Sequence, residues 1–137
     1  MALDLGEVRT GVAVSDPGAT IARPLEVVPS QELSGYLGSM VLEGVAEVLV
    51  GVPKTLGGEV GFQARRSLGT ISALKKEFPA VRFVEWDERF TTRIAASGVT
   101  RKKRRHKKGA KDRLDHLAAA RMLQEYLDAR GAVEEGR

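Results

Sequence analysis

The chain of 137 residues contains no cysteine. Disulfides and thiolate metal sites are therefore excluded, and the absence fits a reducing, cytoplasmic compartment. The two histidines, His106 and His116, do not make a ligand-like pair. Aromatic residues are 5% of the chain, which leaves no obvious base-stacking platform and argues against single-strand binding by stacking. No apolar run approaches the roughly 18 residues of a membrane span, and the first residues lack a signal-peptide pattern. There is no internal repeat and no linker. One domain over 1–137 is expected, large enough to bury a real core.

What is present is unevenly charged. The net charge is +4, yet Arg101 to Arg113 holds nine of the 22 Lys and Arg residues against a single acid, Asp112. The rest of the chain is acidic on balance. Such a cluster predicts a polyanionic partner gripped at one place, through Arg101, Lys102, Lys103, Arg104, Arg105, Lys107 and Lys108. A solvated loop is the plain alternative. His106 inside it could meet phosphate, although a bystander role is the commoner one.

Hydrophobic patterning divides the chain into alternating elements. Leu3–Leu5 and Val8–Ser15 read as a hairpin turned at Gly6. A third strand over Thr20–Val28 is pushed to an edge by Pro24. Gln31–Glu43 reads as a helix with Leu33, Leu37, Met40 and Val41 on one face and Ser30 as N-cap. Glu47–Pro53 is a buried strand, followed by a glycine-rich loop at Thr55–Gly61. Phe62–Phe78 is helical with Leu68, Ile71, Leu74 and Phe78 inward. Val81–Trp86 is a strand, Phe90–Ser97 a short helix, and Lys111–Ala129 a long final helix, with 130–137 a frayed tail. This order predicts an α/β layer fold with a mixed sheet.

Three acidic positions stand out. Asp4 interrupts an apolar strand, where Asp is disfavoured and a buried charge needs a partner or a metal. Asp87 and Glu88 follow a strand at its carboxyl end, where α/β folds bind ligands. Strand alternation lets only one of that pair enter a given site. Asp115 begins the stripe of Ala119, Met122 and Tyr126 on the last helix, with Asp112 on its edge. Ala118 and Ala119 would let that helix approach the sheet. Singly, each acid has a bland reading as a turn residue or a helix-dipole partner. Together, carboxylates without Cys or a His pair suit hard cations, Mg²⁺ or Mn²⁺. Two such ions clamp a phosphodiester undergoing hydrolysis.

The ordered motifs Ala2-Leu3-Asp4-Leu5-Gly6, Arg9-Thr10-Gly11-Val12-Ala13-Val14-Ser15-Asp16, Val50-Gly51-Val52-Pro53, Asp87-Glu88-Arg89-Phe90-Thr91-Thr92, Arg101-Lys102-Lys103-Arg104 and Asp115-His116-Leu117-Ala118-Ala119-Ala120 span almost the whole chain. Collectively the sequence resembles the YqgF/RuvX family of the ribonuclease H-like superfamily. The resemblance implies a ribonuclease H-like fold with a five-stranded mixed sheet flanked by helices. It also implies a metal-dependent nuclease with catalytic, metal-binding acids at Asp4, Glu88 and Asp115, Asp87 and Asp112 being the less favoured neighbours. Family members are described as processing the 5′ end of pre-16S ribosomal RNA and as candidate Holliday junction resolvases. The expected partner is accordingly structured nucleic acid, pre-rRNA or branched DNA, and no membrane. Resolution of a junction would require a homodimer. The family usually has a few more residues before the first strand, which predicts a looser hold on that strand here.

Two other functions compete. A non-catalytic nucleic-acid-binding module would use only the basic segment. An actin-like ATPase would use Asp4-Leu5-Gly6 as a phosphate turn but needs a second lobe, for which the chain is too short. Asp4 discriminates, because only a nuclease loses cleavage when it is neutralised.

Overall fold

The computed structural model describes residues 1–52, 61–87 and 108–135, with side-chain surroundings given over 116–131 in the last stretch. Five strands, β1 (Ala2–Leu5), β2 (Arg9–Ser15), β3 (Ala22–Pro29), β4 (Glu47–Val52) and β5 (Arg82–Asp87), form one sheet in the order β3-β2-β1-β4-β5. β2 runs antiparallel to both β1 and β3, while β1, β4 and β5 are parallel. Among the described residues three α-helices flank it: α1 (Leu33–Leu42), α2 (Phe62–Glu77) and α3 (Lys108–Glu135). The mixed sheet expected from the order of elements is thus present, with the five strands that the family resemblance implies.

Each face of the sheet has its own core. Leu3, Val12, Val48, Val50 and Val52 pack against Leu33 and Leu37 of α1 and Ile71 and Leu74 of α2. Alternate residues Ala2, Ala13 and Leu49 turn the other way and meet Ala119, Ala120, Met122, Leu123 and Leu127 of α3. The period of two in the strands and the small residues on both partners place α3 directly over β1 and β2. Central β4 is apolar on both faces after Glu47, as a buried parallel strand must be, and β1 is apolar except at Asp4.

The edges explain several local choices. Pro24 lies on edge strand β3, where a missing N–H is tolerated, and the β2–β3 register shifts there by one residue. At the start of β3 the carboxylate of Asp16 accepts from the amides of Ile21 and Thr20 and the Thr20 hydroxyl, at 2.7–2.8 Å. These bonds, the Ile21 amide first, hold its pKa down at about 2. The Gln124 side chain of α3 accepts from the Ala22 amide at 2.8 Å and donates to the Thr20 carbonyl at 2.9 Å.

Three expectations are corrected. Ser30 is not the N-cap of α1; it opens a single 3₁₀ turn (Ser30–Glu32), and its hydroxyl donates instead to the Gly6 carbonyl at 2.7 Å. The final helix continues to Glu135 rather than fraying from 130. Arg130 stacks over Tyr126 at 5.5 Å and reaches Glu47 at 2.8 Å, so the last turns are tied to the start of β4. The first strand is firmly held: β1 is paired on both sides, and Ala2 and Leu3 are fully buried. The predicted short helix at Phe90–Ser97 and the loop at 55–60 lie outside the described residues.

Candidate active site

Asp4 lies near the carboxyl end of β1, half-buried, between strands that bring glycines to its sides. Across the antiparallel ladder it faces Gly11. On the parallel side Leu3 pairs with Val50, so the next position along, Gly51, runs beside Asp4; Gly51 in turn pairs with Trp86 of β5. A row Gly11–Asp4–Gly51–Trp86 thus crosses the sheet. Neither immediate neighbour in that row contributes a side chain.

Alternation decides which way the acids face. Leu3 and Leu5 join the core under α1 and α2, whereas Ala2 joins the core under α3. Asp4 therefore has the parity of the α3 face. On β5, Val84 and Trp86 belong to the α3 side and Phe83 to the other. Asp87, the last residue of β5, shares the parity of Phe83 and so takes the face opposite Asp4.

Asp112 and Asp115 both belong to α3, the helix that covers the Asp4 face. The stripe predicted to follow Asp115 is observed, with Ala119 and Met122 buried and Tyr126 half-buried against Trp86, ring centroids 5.9 Å apart and nearly perpendicular. The side chains of Asp112 and Asp115 are outside the described residues, as is Glu88. Among the described residues no three acidic or histidine side chains form a cluster able to hold a metal. Next to Asp115, the buried Nδ1 of His116 has no hydrogen-bond partner among the described residues. Of the basic segment, Lys108 opens α3, and Arg101, Lys102, Lys103, Arg104, Arg105 and Lys107 lie outside the described residues.

A cleft of ≈ 600 Å³ opens between the β1–β2 hairpin and the first turns of α2 and includes Asp4 in its wall. Its position, at the carboxyl end of β1, is where open α/β sheets bind ligands. Thr10, fully buried, and Ser30 share a hydrogen bond of 2.9 Å within it. Ser30 also holds the Gly6 carbonyl, and a Cβ at Gly6 would collide with the carbonyl oxygen of Arg9. The hairpin tip is therefore tight and pinned from β3. Gln63, Arg66 and Thr70 of α2 form the opposite wall. Patterning of apolar residues could not single out this cleft, because its walls mix polar and apolar residues and come from three distant segments. One signal was available: Phe62 stands roughly opposite Ile71 around α2 at 100° per residue, so its ring points away from the core.

The order and directions of the five strands, with helices on both faces, define a ribonuclease H-like α/β protein. The family model described as "RuvX: Holliday junction resolvase" matches residues 1–129, and the chain belongs to that family. A protein of Rubrobacter xylanophilus is 64% identical over 96% of this chain and 94% of its own length, and it bears the name "Putative pre-16S rRNA nuclease". The same name is carried by a Fusobacterium nucleatum protein, 39% identical over 93% of this chain and 95% of its own. A Nocardia farcinica protein of that name is 36% identical over 97% of this chain and 79% of its own. Both descriptions are of enzymes that cleave nucleic acid.

Proposed function

We propose that this chain is a divalent-metal-dependent endonuclease that hydrolyses phosphodiester bonds in pre-16S rRNA, with Asp4, Glu88 and Asp115 as its carboxylates. The observation that carries the reading is the position of Asp4: inside a central strand, flanked across the sheet by Gly11 and Gly51, on the face covered by the helix that bears Asp115. A half-buried acid whose neighbours in the row are glycines meets no side chain along that row, and a bound cation would offset the cost of its charge. Parity disfavours Asp87, which takes the Phe83 side, and leaves Glu88 as the favoured acid of the pair. The helical stripe that continues as Ala119 and Met122 favours Asp115 over Asp112.

An all-carboxylate donor set fits Mg²⁺ or Mn²⁺, two with substrate, and bound ions would supply Lewis acidity and neutralise phosphate charge. The residues do the positioning. Asp4 is held by a strand paired on both sides, and Asp115 by a helix packed on that strand through alanines. Arg101, Lys102, Lys103, Arg104, Arg105, Lys107 and Lys108 supply the sequence-independent grip on the phosphate backbone. A cytoplasmic location accords with rRNA processing. Among the described residues no helix is long and apolar enough to cross a membrane.

The family description favours one second reading, resolution of Holliday junctions. That activity needs two sites related by a two-fold axis, hence a homodimer. The test is direct: purified protein with Mg²⁺ or Mn²⁺ is offered a pre-16S fragment and a four-way junction, while its mass in solution is measured. Cleavage of the RNA, lost in each of Asp4→Asn, Glu88→Gln and Asp115→Asn with binding retained, is the expected result. Undiminished activity in all three would remove the site assignment, and a monomer would weigh against the junction reading.

A further inference from the structure

Phe62 and Arg66 lie one turn apart on α2, on the side away from Ala64, Ser67, Ile71 and Leu74, which face the core. The Phe62 ring is 75% exposed, and the Arg66 guanidinium sits 5.1 Å from its centroid. Arg66 also reaches Glu7 at the hairpin tip, at 3.5 Å. Arg66 thus links the exposed ring to the hairpin tip, and Arg66 and Glu7 both line the cleft whose wall includes Asp4. A single exposed phenylalanine is ordinary. Here the ring is steadied by Arg66, a residue of the cleft whose wall also includes Asp4.

An aromatic ring and a guanidinium plane are the two surfaces on which unpaired bases stack, and the guanidinium also binds phosphate. The Arg66–Glu7 pair is solvent-exposed, hence weak, and Arg66 can exchange it for a phosphate at little cost. A base within a duplex has both faces covered by its neighbours, so a stacking rim selects nucleotides that are unpaired. We infer that Phe62 and Arg66 hold an unpaired nucleotide of the RNA flanking the scissile bond, its base on Phe62 and its phosphate on Arg66. This inference rests on the nuclease reading for the meaning of the flank, but its test involves no cleavage.

The full chain, free of divalent ions, is titrated against two RNA hairpins, one blunt and one with a short single-stranded tail. The tail should tighten binding, and Phe62→Ala should abolish that gain, a loss of at least about fivefold, while leaving the blunt hairpin unaffected. Phe62→Trp should keep the gain. Arg66→Gln should lower the salt slope for the tailed probe by about 0.7. A wild-type protein indifferent to the tail, or a Phe62→Ala variant weakened equally toward both probes, would overturn the inference. Should Phe62→Ala fail to fold, cross-linking of a thiouridine-bearing tail to the wild-type chain decides: attachment within the first two turns of α2 supports it, and attachment only elsewhere overturns it. Binding that discriminates the tail in a protein that never cleaves would defeat the nuclease reading alone.

Discussion

Asp4 stands directly across the β1–β2 ladder from Gly11. Opposed side chains in such a ladder lie about 5 Å apart, so a residue larger than glycine at 11 would crowd the carboxylate. Gly11→Val should abolish cleavage of a pre-16S fragment while the protein remains folded, at a cost of about 1–3 kcal/mol from overpacking under α3. Cleavage assays paired with denaturant melts separate the two effects. Wild-type activity in a folded Gly11→Val protein would show that the space beside Asp4 is not used.

Neutralising Asp4 tests the chemistry itself. Asp4→Asn keeps the shape of the side chain but not its charge, and cleavage should fall by more than about 100-fold, since even outer-shell partners of metal sites act on that scale. RNA affinity without divalent ions should be unchanged, which anisotropy would show.

The basic segment should set the salt dependence. If about five of the charges between Arg101 and Lys108 meet phosphates, the log–log slope of affinity against salt is about −4 to −5, and neutralising two of them should reduce its steepness by nearly two. The loss should be similar for unrelated RNA sequences, because phosphate contacts carry no base information.

Gln124 ties α3 to the edge strand through both its amide atoms. Gln124→Leu leaves the Ala22 amide and the Thr20 carbonyl without that partner, a loss of about 1–3 kcal/mol. Hydrogen exchange at Ala22 should quicken in step.

Asp16 makes a prediction about acid stability. Its folded pKa, about 2, lies below that of an unstructured aspartate, because the Ile21 and Thr20 amides and the Thr20 hydroxyl bond the charged form. Stability from those bonds is therefore complete above about pH 4 and is lost as pH falls toward 2. Asp16→Asn should flatten the stability profile in that window and leave its shape above pH 5 unchanged, as measured by melts across pH.

Much of the fold and half of the candidate site are legible in local order. The apolar pattern of Leu3–Leu5 and Val8–Ser15 names two hairpin strands, and the helical stripe through Ala119, Met122 and Tyr126 names the packed face of α3; both are where the structure has them. Ser30 shows where local reading stops: its type and place suit a helix cap, but its hydroxyl goes to Gly6, twenty-four residues away, across a turn that only the folded hairpin creates. The end of α3 is similar, since a charged tail reads as frayed until Glu47 is found opposite Arg130.

Local residue order is enough to give the class of the five strands and the three described α-helices, the anomaly of an acid at position 4, and the concentration of positive charge in one segment. These follow from side-chain periodicity, burial cost and charge, all carried by neighbouring residues. The tertiary structure alone brings glycines of two other strands beside Asp4, sets Asp87 on the opposite parity, and places Arg66, with Phe62 against it, at a cleft whose wall includes Asp4. Those relationships depend on strand register and helix packing, in which residues far apart in the chain become neighbours.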